Sequence, residues 1–149
     1  MNSDTRSAEV VSGYETVFTV TDYYDGPRRG LANCQGKPHF YECVFDEGKD
    51  EYSDQYRLTP IDEKTFKLAM EDWEIWRRWE IAFHVGKADI SSHPALPEDR
   101  SRHEELRSIL DPILVTDPRR AITRIAKFDA LKPPDLPKSV SRIVRVKWS

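Results

Sequence analysis

Two side chains whose spacing would suit shared chemistry, Glu80 and His84, lie in a long stretch of helical periodicity. A carboxylate and an imidazole four residues apart on a helix share one face and are separated by one turn. Such a pair could provide two metal ligands or a general acid and base. Arg77 precedes Glu80 by three residues, so the three side chains could instead form a strip of paired charges. Spacing alone leaves both interpretations open.

A metal site would need further ligands that converge on this pair, and His93 and His103 are the candidates. A catalytic zinc ion usually has three protein ligands. His93 precedes a proline and is expected in a loop, whereas His103 lies among acidic residues and is expected on a solvated helix face. The sequence therefore predicts no metal and no cofactor, with Glu80 and His84 as the ligands if a metal binds.

The segment from Asp22 to Gly30 is a second candidate site, because it combines tyrosines, carboxylates, arginines and glycines. Arginine recognises carboxylates and phosphates with two parallel hydrogen bonds, and tyrosine provides stiff contact area. The same residues would also suit an ordinary hairpin in which an aspartate caps the turn. The candidate binding residues in this segment are Tyr23, Tyr24, Asp25, Arg28 and Arg29.

A row of three tryptophans, Trp73, Trp76 and Trp79, lies in the same helical stretch as Glu80. Together with neighbouring apolar residues it forms a stripe wider than an amphipathic helix needs. A helix covered by a sheet and by a second helix would bury this row, and that interpretation is favoured. Alternatively part of the row is exposed and binds a partner, because Trp is enriched at binding hot spots. Trp76, at the centre of the row, is the candidate binding residue.

The first part of the chain, which contains the segment from Asp22 to Gly30, is predicted to form strands. β-Branched and aromatic runs alternate with tight turn signals up to residue 58, a pattern typical of an antiparallel meander. The clearest strand covers residues 39–45 and is expected inside the sheet. Two more strands are predicted near the end of the chain, over residues 120–128 and 141–148.

Helical periodicity lies between the two groups of strands, over residues 60–85 and 98–110. Thr59 is the expected N-cap of the long helix, Pro60 its first residue and Gly86 its end. The predicted fold is α+β, with an antiparallel meander sheet of about five to six strands. The long helix is expected to pack across this sheet, with the shorter helix beside it.

Composition limits the class of protein further. A chain of 149 residues fits one domain, so a flexible N-terminal tail over residues 1–13 and a single domain over residues 14–149 are predicted. The net charge of -3 lacks the basic surplus of nucleic-acid binders. No stretch of about 18 apolar residues and no signal peptide is found. Cys34 and Cys43 are expected to be reduced thiols in a soluble, cytoplasmic protein.

The sequence contains no phosphate-binding loop, nucleophile elbow, zinc-protease helix or dinucleotide fingerprint. The predicted function is therefore a non-catalytic protein-binding or regulatory domain that acts on another protein, not on nucleic acid or a membrane. The alternative is a small metal-assisted hydrolase that uses Glu80 and His84. Whether the protein is an enzyme, and its oligomeric state, are left open.

Overall fold

A computed structural model describes residues 13–131 and 143–149. Residues 1–12 of the predicted tail lie outside these ranges. Within the described ranges the chain forms six strands and two α-helices, named here in chain order: β1 (Glu15–Tyr23), β2 (Pro27–Cys34), β3 (Lys37–Asp46), β4 (Glu51–Pro60), α1 (Glu63–His84), α2 (Arg100–Leu110), β5 (Ile122–Leu131) and β6 (Ile143–Trp148). Two compact units result, a strand unit over residues 13–61, 115–131 and 143–149 and a helical unit over residues 62–114.

The strand unit is an antiparallel meander in which every strand pairs with the next one along the chain. This confirms the predicted α+β class and the position of residues 39–45 inside the sheet, because β3 pairs with β2 and with β4. Closure of the sheet was not predicted. β1 also pairs with β6, at Glu15 opposite Val146 and Thr16 opposite Arg145, so the sheet closes into a barrel. Closure pairs the backbone groups that two edge strands would leave exposed.

Aromatic side chains fill the interior of the barrel. The rings of Tyr41, Tyr56, Phe128 and Trp148 all contact one another, with centroid separations from 5.4 to 6.2 Å. Tyr41 and Tyr56 are buried, together with Ala32, Cys34, Cys43, Leu58 and Val146. Both cysteines are free thiols, as predicted. The barrel therefore covers the inward apolar face of the sheet with its own side chains.

Gly30 allows β1 to approach β2 closely. A Cβ atom at Gly30 would lie 2.1 Å from the carbonyl oxygen of Thr19 and 2.7 Å from the hydroxyl of Tyr41. The Tyr41 hydroxyl donates to the Thr19 carbonyl at 2.9 Å, and the backbone N–H of Leu31 donates to Thr19 Oγ1 at 2.9 Å. β1 shifts register on both sides of this contact. Only a residue without a side chain fits there.

Helix α1 begins later than predicted. Asp62 is its N-cap and accepts a hydrogen bond from the backbone N–H of Thr65 at 2.8 Å. Thr59 is not the cap, because β4 continues through Pro60 and pairs with β3 there. The predicted end is confirmed, since Gly86 follows the helix with a φ of 78°. Neither α1 nor α2 is long and apolar enough to cross a lipid bilayer.

Charged side chains join α1 to α2, so the prediction of a second helix beside the first is confirmed. Arg78 binds Asp99 through two hydrogen bonds of 3.0 Å. Arg102 binds Glu71 in the same two-point manner, at 2.6 and 2.7 Å. Since Asp99 is the N-cap of α2 and Arg102 lies in its first turn, both contacts tie α1 to the beginning of α2.

Candidate binding site at one rim of the barrel

Two hairpin turns lie at one end of the barrel, the β1–β2 turn at residues 24–26 and the β3–β4 turn at residues 47–50. They share this end because consecutive antiparallel strands alternate in direction. Four aromatic residues gather here and are called the aromatic rim: Tyr23, Tyr24, Phe45 and Tyr52. The ring of Tyr52 lies 6.3 Å from Tyr24 and meets Phe45 edge to face at 5.1 Å. Tyr23, Tyr24 and Phe45 are 61%, 71% and 43% exposed.

Arg28 fastens the β1–β2 turn to the barrel. Its Nε donates to the carbonyl of Tyr24 at 2.7 Å, and its Nη2 donates to the carbonyl of Asp25 at 3.0 Å. Its Nη1 lies 3.5 Å from both Cys43 Sγ and the Tyr56 hydroxyl. Since all three guanidinium nitrogens are engaged within the chain, Arg28 acts here as a positioning residue. From its sequence Arg28 is predicted either to contact a partner or to be a solvated residue of an ordinary hairpin, and neither prediction includes this positioning role.

The groups beneath Arg28 are themselves fixed. The Tyr56 hydroxyl donates to the carbonyl of Pro27 at 2.6 Å, and Cys43 Sγ donates to the carbonyl of Ser53 at 3.2 Å. Burial raises the pKa of the Tyr56 phenol, and the neighbouring Cys43 raises it further. The phenol therefore stays neutral and can donate to Pro27 while it accepts from Arg28. The β1–β2 turn thus rests on a partly buried hydrogen-bond network.

The backbone of the turn explains its Asp-Gly sequence. Asp25 has a φ of 55° and Gly26 a φ of 136°, conformations that most residues avoid. Aspartate and asparagine tolerate the first of these better than most side chains, and glycine adopts the second without strain. Asp25 is exposed and its observed role is conformational. Arg29 is also exposed and lies 3.1 Å from Glu42.

Arg28 should contribute measurably to stability. Replacing it with methionine keeps the apolar stem but removes the hydrogen bonds to two carbonyls. We expect the free energy of unfolding in urea to fall by about 1–3 kcal/mol, because hydrogen bonds from a charged donor are among the stronger ones. Arg29→Met is the matched control and should cost less than about 1 kcal/mol, as exposed ion pairs do. Equal losses in the two variants would contradict the role assigned to Arg28.

Trp76 belongs to the helical unit and is not part of the aromatic rim. It is half-buried, with its ring 4.8 Å from that of Trp73. Trp79 is the buried member of the row, at 4% exposure. Its Nε1 donates to Ser92 Oγ at 2.8 Å, and its ring stacks on Phe83 at 5.0 Å. The core interpretation therefore describes Trp79 best, and a binding role for Trp76 stays a prediction.

The proposed metal ligands show no convergence. His84 is exposed and Glu80 is half-buried. Nowhere in residues 13–131 and 143–149 do three His, Cys, Asp or Glu side chains gather as a metal site would require. His93 instead packs edge-on against the Trp79 ring at 4.6 Å. The metal-assisted hydrolase thus gains no support from the described residues.

The expectation that His103 is solvated was wrong. Its Nδ1 lies 2.7 Å from Asp72 Oδ1, and the two side chains are only 16% and 12% exposed. Arg107 approaches the second carboxylate oxygen of Asp72 at 3.4 Å. Because α1 provides Asp72 and α2 provides the other two residues, the cluster is a contact between the helices.

Sequence reasoning missed Phe45, Tyr52 and the supporting pair Cys43 and Tyr56. Strand alternation correctly places Tyr41 and Cys43 on one face, but a register shift between Cys43 and Phe45 breaks that alternation. Phe45 is consequently exposed at the rim. The turn signals before β2 and after β3 were the available clue, because the turns on either side of a β2–β3 hairpin lie at the same end of a meander.

Comparison of the chain with models of protein families, with curated proteins and with solved structures gives no match. A fold by itself does not define a function. The function must therefore be inferred from the site itself.

Proposed function

We propose that the protein is a non-catalytic protein-binding or regulatory domain whose barrel presents the aromatic rim to a partner protein. The observation that supports this proposal is the exposure of Tyr23 and Tyr24, 61% and 71%, on a turn whose carbonyls are held by Arg28. A large side chain exposed on a fixed backbone contributes contact area on binding while losing little conformational entropy.

The surroundings of the two tyrosines extend this surface. Phe45 is 43% exposed, and Tyr52 lies between Phe45 and Tyr24. Exposed aromatic side chains that lie side by side are characteristic of interaction sites, where Tyr and Trp contribute much of the binding energy. The partly buried network under the turn supports the proposal in a second way, because it holds the surface in place before a partner arrives.

The test is a paired capture experiment with the full chain. In the variant Tyr23→Ser/Tyr24→Ser the two most exposed rings of the rim are removed without any buried contact being touched. We expect this variant to lose the protein that the parent captures from an extract of the native host. Its melting temperature should stay within about 2–4 °C of the parent, since exposed substitutions change stability little. Titration of the isolated partner by calorimetry then gives the loss of affinity directly.

Val85→Ser/Ile90→Ser is the matched control. It removes two apolar side chains of similar exposure, 60% and 61%, from the helical unit. This control should capture the partner as the parent does. The proposed function would be abandoned if the tyrosine variant captured the partner equally well, or if the Val85 and Ile90 variant alone lost it.

A further inference from the structure

We infer that the aromatic rim selects a basic protein segment, one that presents arginine or lysine side chains; this inference rests on the proposed function and names the chemistry of the partner. Two independent features of the rim lead to it. One is the charge of the two turns, and the other is the set of tyrosine rings that those turns carry.

The two turns that carry the aromatic rim are rich in carboxylates. The β1–β2 turn contributes Asp25, and the β3–β4 turn with its flanking residues contributes Asp46, Glu47, Asp50 and Glu51. All of these are exposed except Asp46, which is half-buried. Only Lys49 and Arg28 oppose them within the two turns and their flanking strand ends, so these two turns together carry an excess of negative charge.

The two arginines near the rim are already engaged inside the molecule. Arg28 directs its three nitrogens to the β1–β2 turn and to the groups beneath it. Arg29 pairs with Glu42 at 3.1 Å. An acidic peptide or a phosphate would therefore meet carboxylates at this surface and would be repelled.

The tyrosine rings are suited to the same kind of partner. The guanidinium carbon of Arg28 lies 4.4 Å from the centre of the Tyr52 ring, which is a cation–π contact within the rim itself. The rings of Tyr23 and Tyr24 are exposed beside it. An arginine or lysine of a partner can lay its apolar stem on such a ring while its charged end reaches a carboxylate. The rim thus matches both parts of a long basic side chain.

Short fluorescein-labelled peptides provide the probe. Glycine alternates with arginine in the first peptide, with lysine in the second and with glutamate in the third. Their binding to the full chain is measured by fluorescence anisotropy at physiological ionic strength. We expect the arginine peptide to bind at least about tenfold more tightly than the glutamate peptide, with the lysine peptide between them, because arginine stacks on aromatic faces more readily.

Two pairs of neutralising substitutions locate the binding. Glu47→Gln/Glu51→Gln should weaken the arginine peptide roughly 3- to 10-fold, as the loss of two exposed charge pairs would. Glu98→Gln/Glu104→Gln is the control, because it makes the same change in net charge on exposed residues of the helical unit. The control should bind within about twofold of the parent. Tyr23→Ser/Tyr24→Ser should weaken binding by about tenfold.

Three outcomes would overturn the inference. They are a glutamate peptide that binds as tightly as the arginine peptide, a control variant weakened as much as the Glu47 and Glu51 variant, and arginine-peptide binding that does not depend on the tyrosines. If the glutamate peptide bound tightly and its binding depended on Tyr23 and Tyr24, the inference of a basic partner would be contradicted. The rim would still be a binding surface. If the variant Tyr23→Ser/Tyr24→Ser still captured the partner from the extract, the proposed function would be contradicted as well.

Discussion

Gly30→Ala is expected to destabilise the protein by more than about 3 kcal/mol, beyond the usual cost of an added methyl group in a packed interior. The new Cβ would lie 2.1 Å from the carbonyl oxygen of Thr19, which belongs to a paired strand and cannot swing aside as a flexible side chain could. The methyl group would also crowd the hydroxyl of Tyr41, which donates to the same carbonyl. For a domain stabilised by about 5–15 kcal/mol, such a loss is sufficient to populate the unfolded state at ordinary temperature.

Urea titration followed by far-ultraviolet circular dichroism measures the effect. Gly48→Ala is the matched control, since a Cβ there would meet only a side-chain oxygen of Asp46, at 3.3 Å on the exposed β3–β4 turn. That control should change the free energy of unfolding by less than about 0.5 kcal/mol. A Gly30→Ala variant with the midpoint of the parent would show that β1 and β2 lie farther apart than described.

Alkaline pH is expected to unfold the barrel through two buried phenols. Burial raises the pKa of Tyr41 well above its ordinary value of 10.0, and burial also raises that of Tyr56. Groups whose pKa is raised by folding contribute their full stability below the unfolded value, and they lose it as the pH rises toward the folded value. At about pH 12 each phenol that stays neutral in the folded state would lower the free energy of unfolding by about 2–3 kcal/mol. For the pair the decrease would be about 5 kcal/mol.

The loss should begin slightly earlier than the tyrosines alone would imply. Burial raises the pKa of the Cys34 thiol above its ordinary value of 9.0, and the carboxylate of Glu15 raises it further. The free energy of unfolding should therefore be constant near neutral pH, decline from about pH 9 and fall steeply above about pH 10.

Phenylalanine substitutions test the origin of the alkaline loss. Tyr41→Phe and Tyr56→Phe should each cost about 1 kcal/mol at neutral pH, because each removes one hydrogen bond to a backbone carbonyl. Each should also reduce the steepness of the alkaline decline. Tyr23→Phe removes an exposed phenol outside the barrel interior and should leave the profile as in the parent. Parent-like profiles for Tyr41→Phe and Tyr56→Phe would contradict this account.

Local patterns in the sequence predicted the elements well. Alternating β-branched and aromatic residues mark β1, β3 and β6, and the turn residues Asp25-Gly26 and Gln35-Gly36 mark the hairpins between the first three strands. Each of these signals lies within a few neighbouring residues, so it can be recognised without knowledge of the tertiary structure. The shift of the α1 cap from Thr59 to Asp62 shows the limit. Thr59 looks like a cap in isolation, but pairing with β3 keeps it in a strand.

Closure of the sheet could not be predicted in the same way. It depends on two residue pairs between β1 and β6, which lie at opposite ends of the described chain. A local sequence pattern does not indicate such a distant pairing. The candidate site was likewise predictable only where its residues are neighbours in the sequence. The turn that bears Tyr23, Tyr24 and Arg28 was visible in the sequence, whereas Tyr52 and Phe45 join it only because β3 and β4 bring a second turn to the same rim.

The position of the helical unit along the chain has a consequence for how the barrel assembles. β1 to β4 are connected by turns of two to four residues, whereas Leu58 of β4 pairs with Ile122 of β5 across the whole helical unit. Closing a loop of about 60 residues costs about 2–3 kcal/mol more entropy than closing a tight hairpin, because the cost grows with the logarithm of loop length. Chain entropy therefore favours early pairing among the first four strands, with β5 and β6 added afterwards to close the ring.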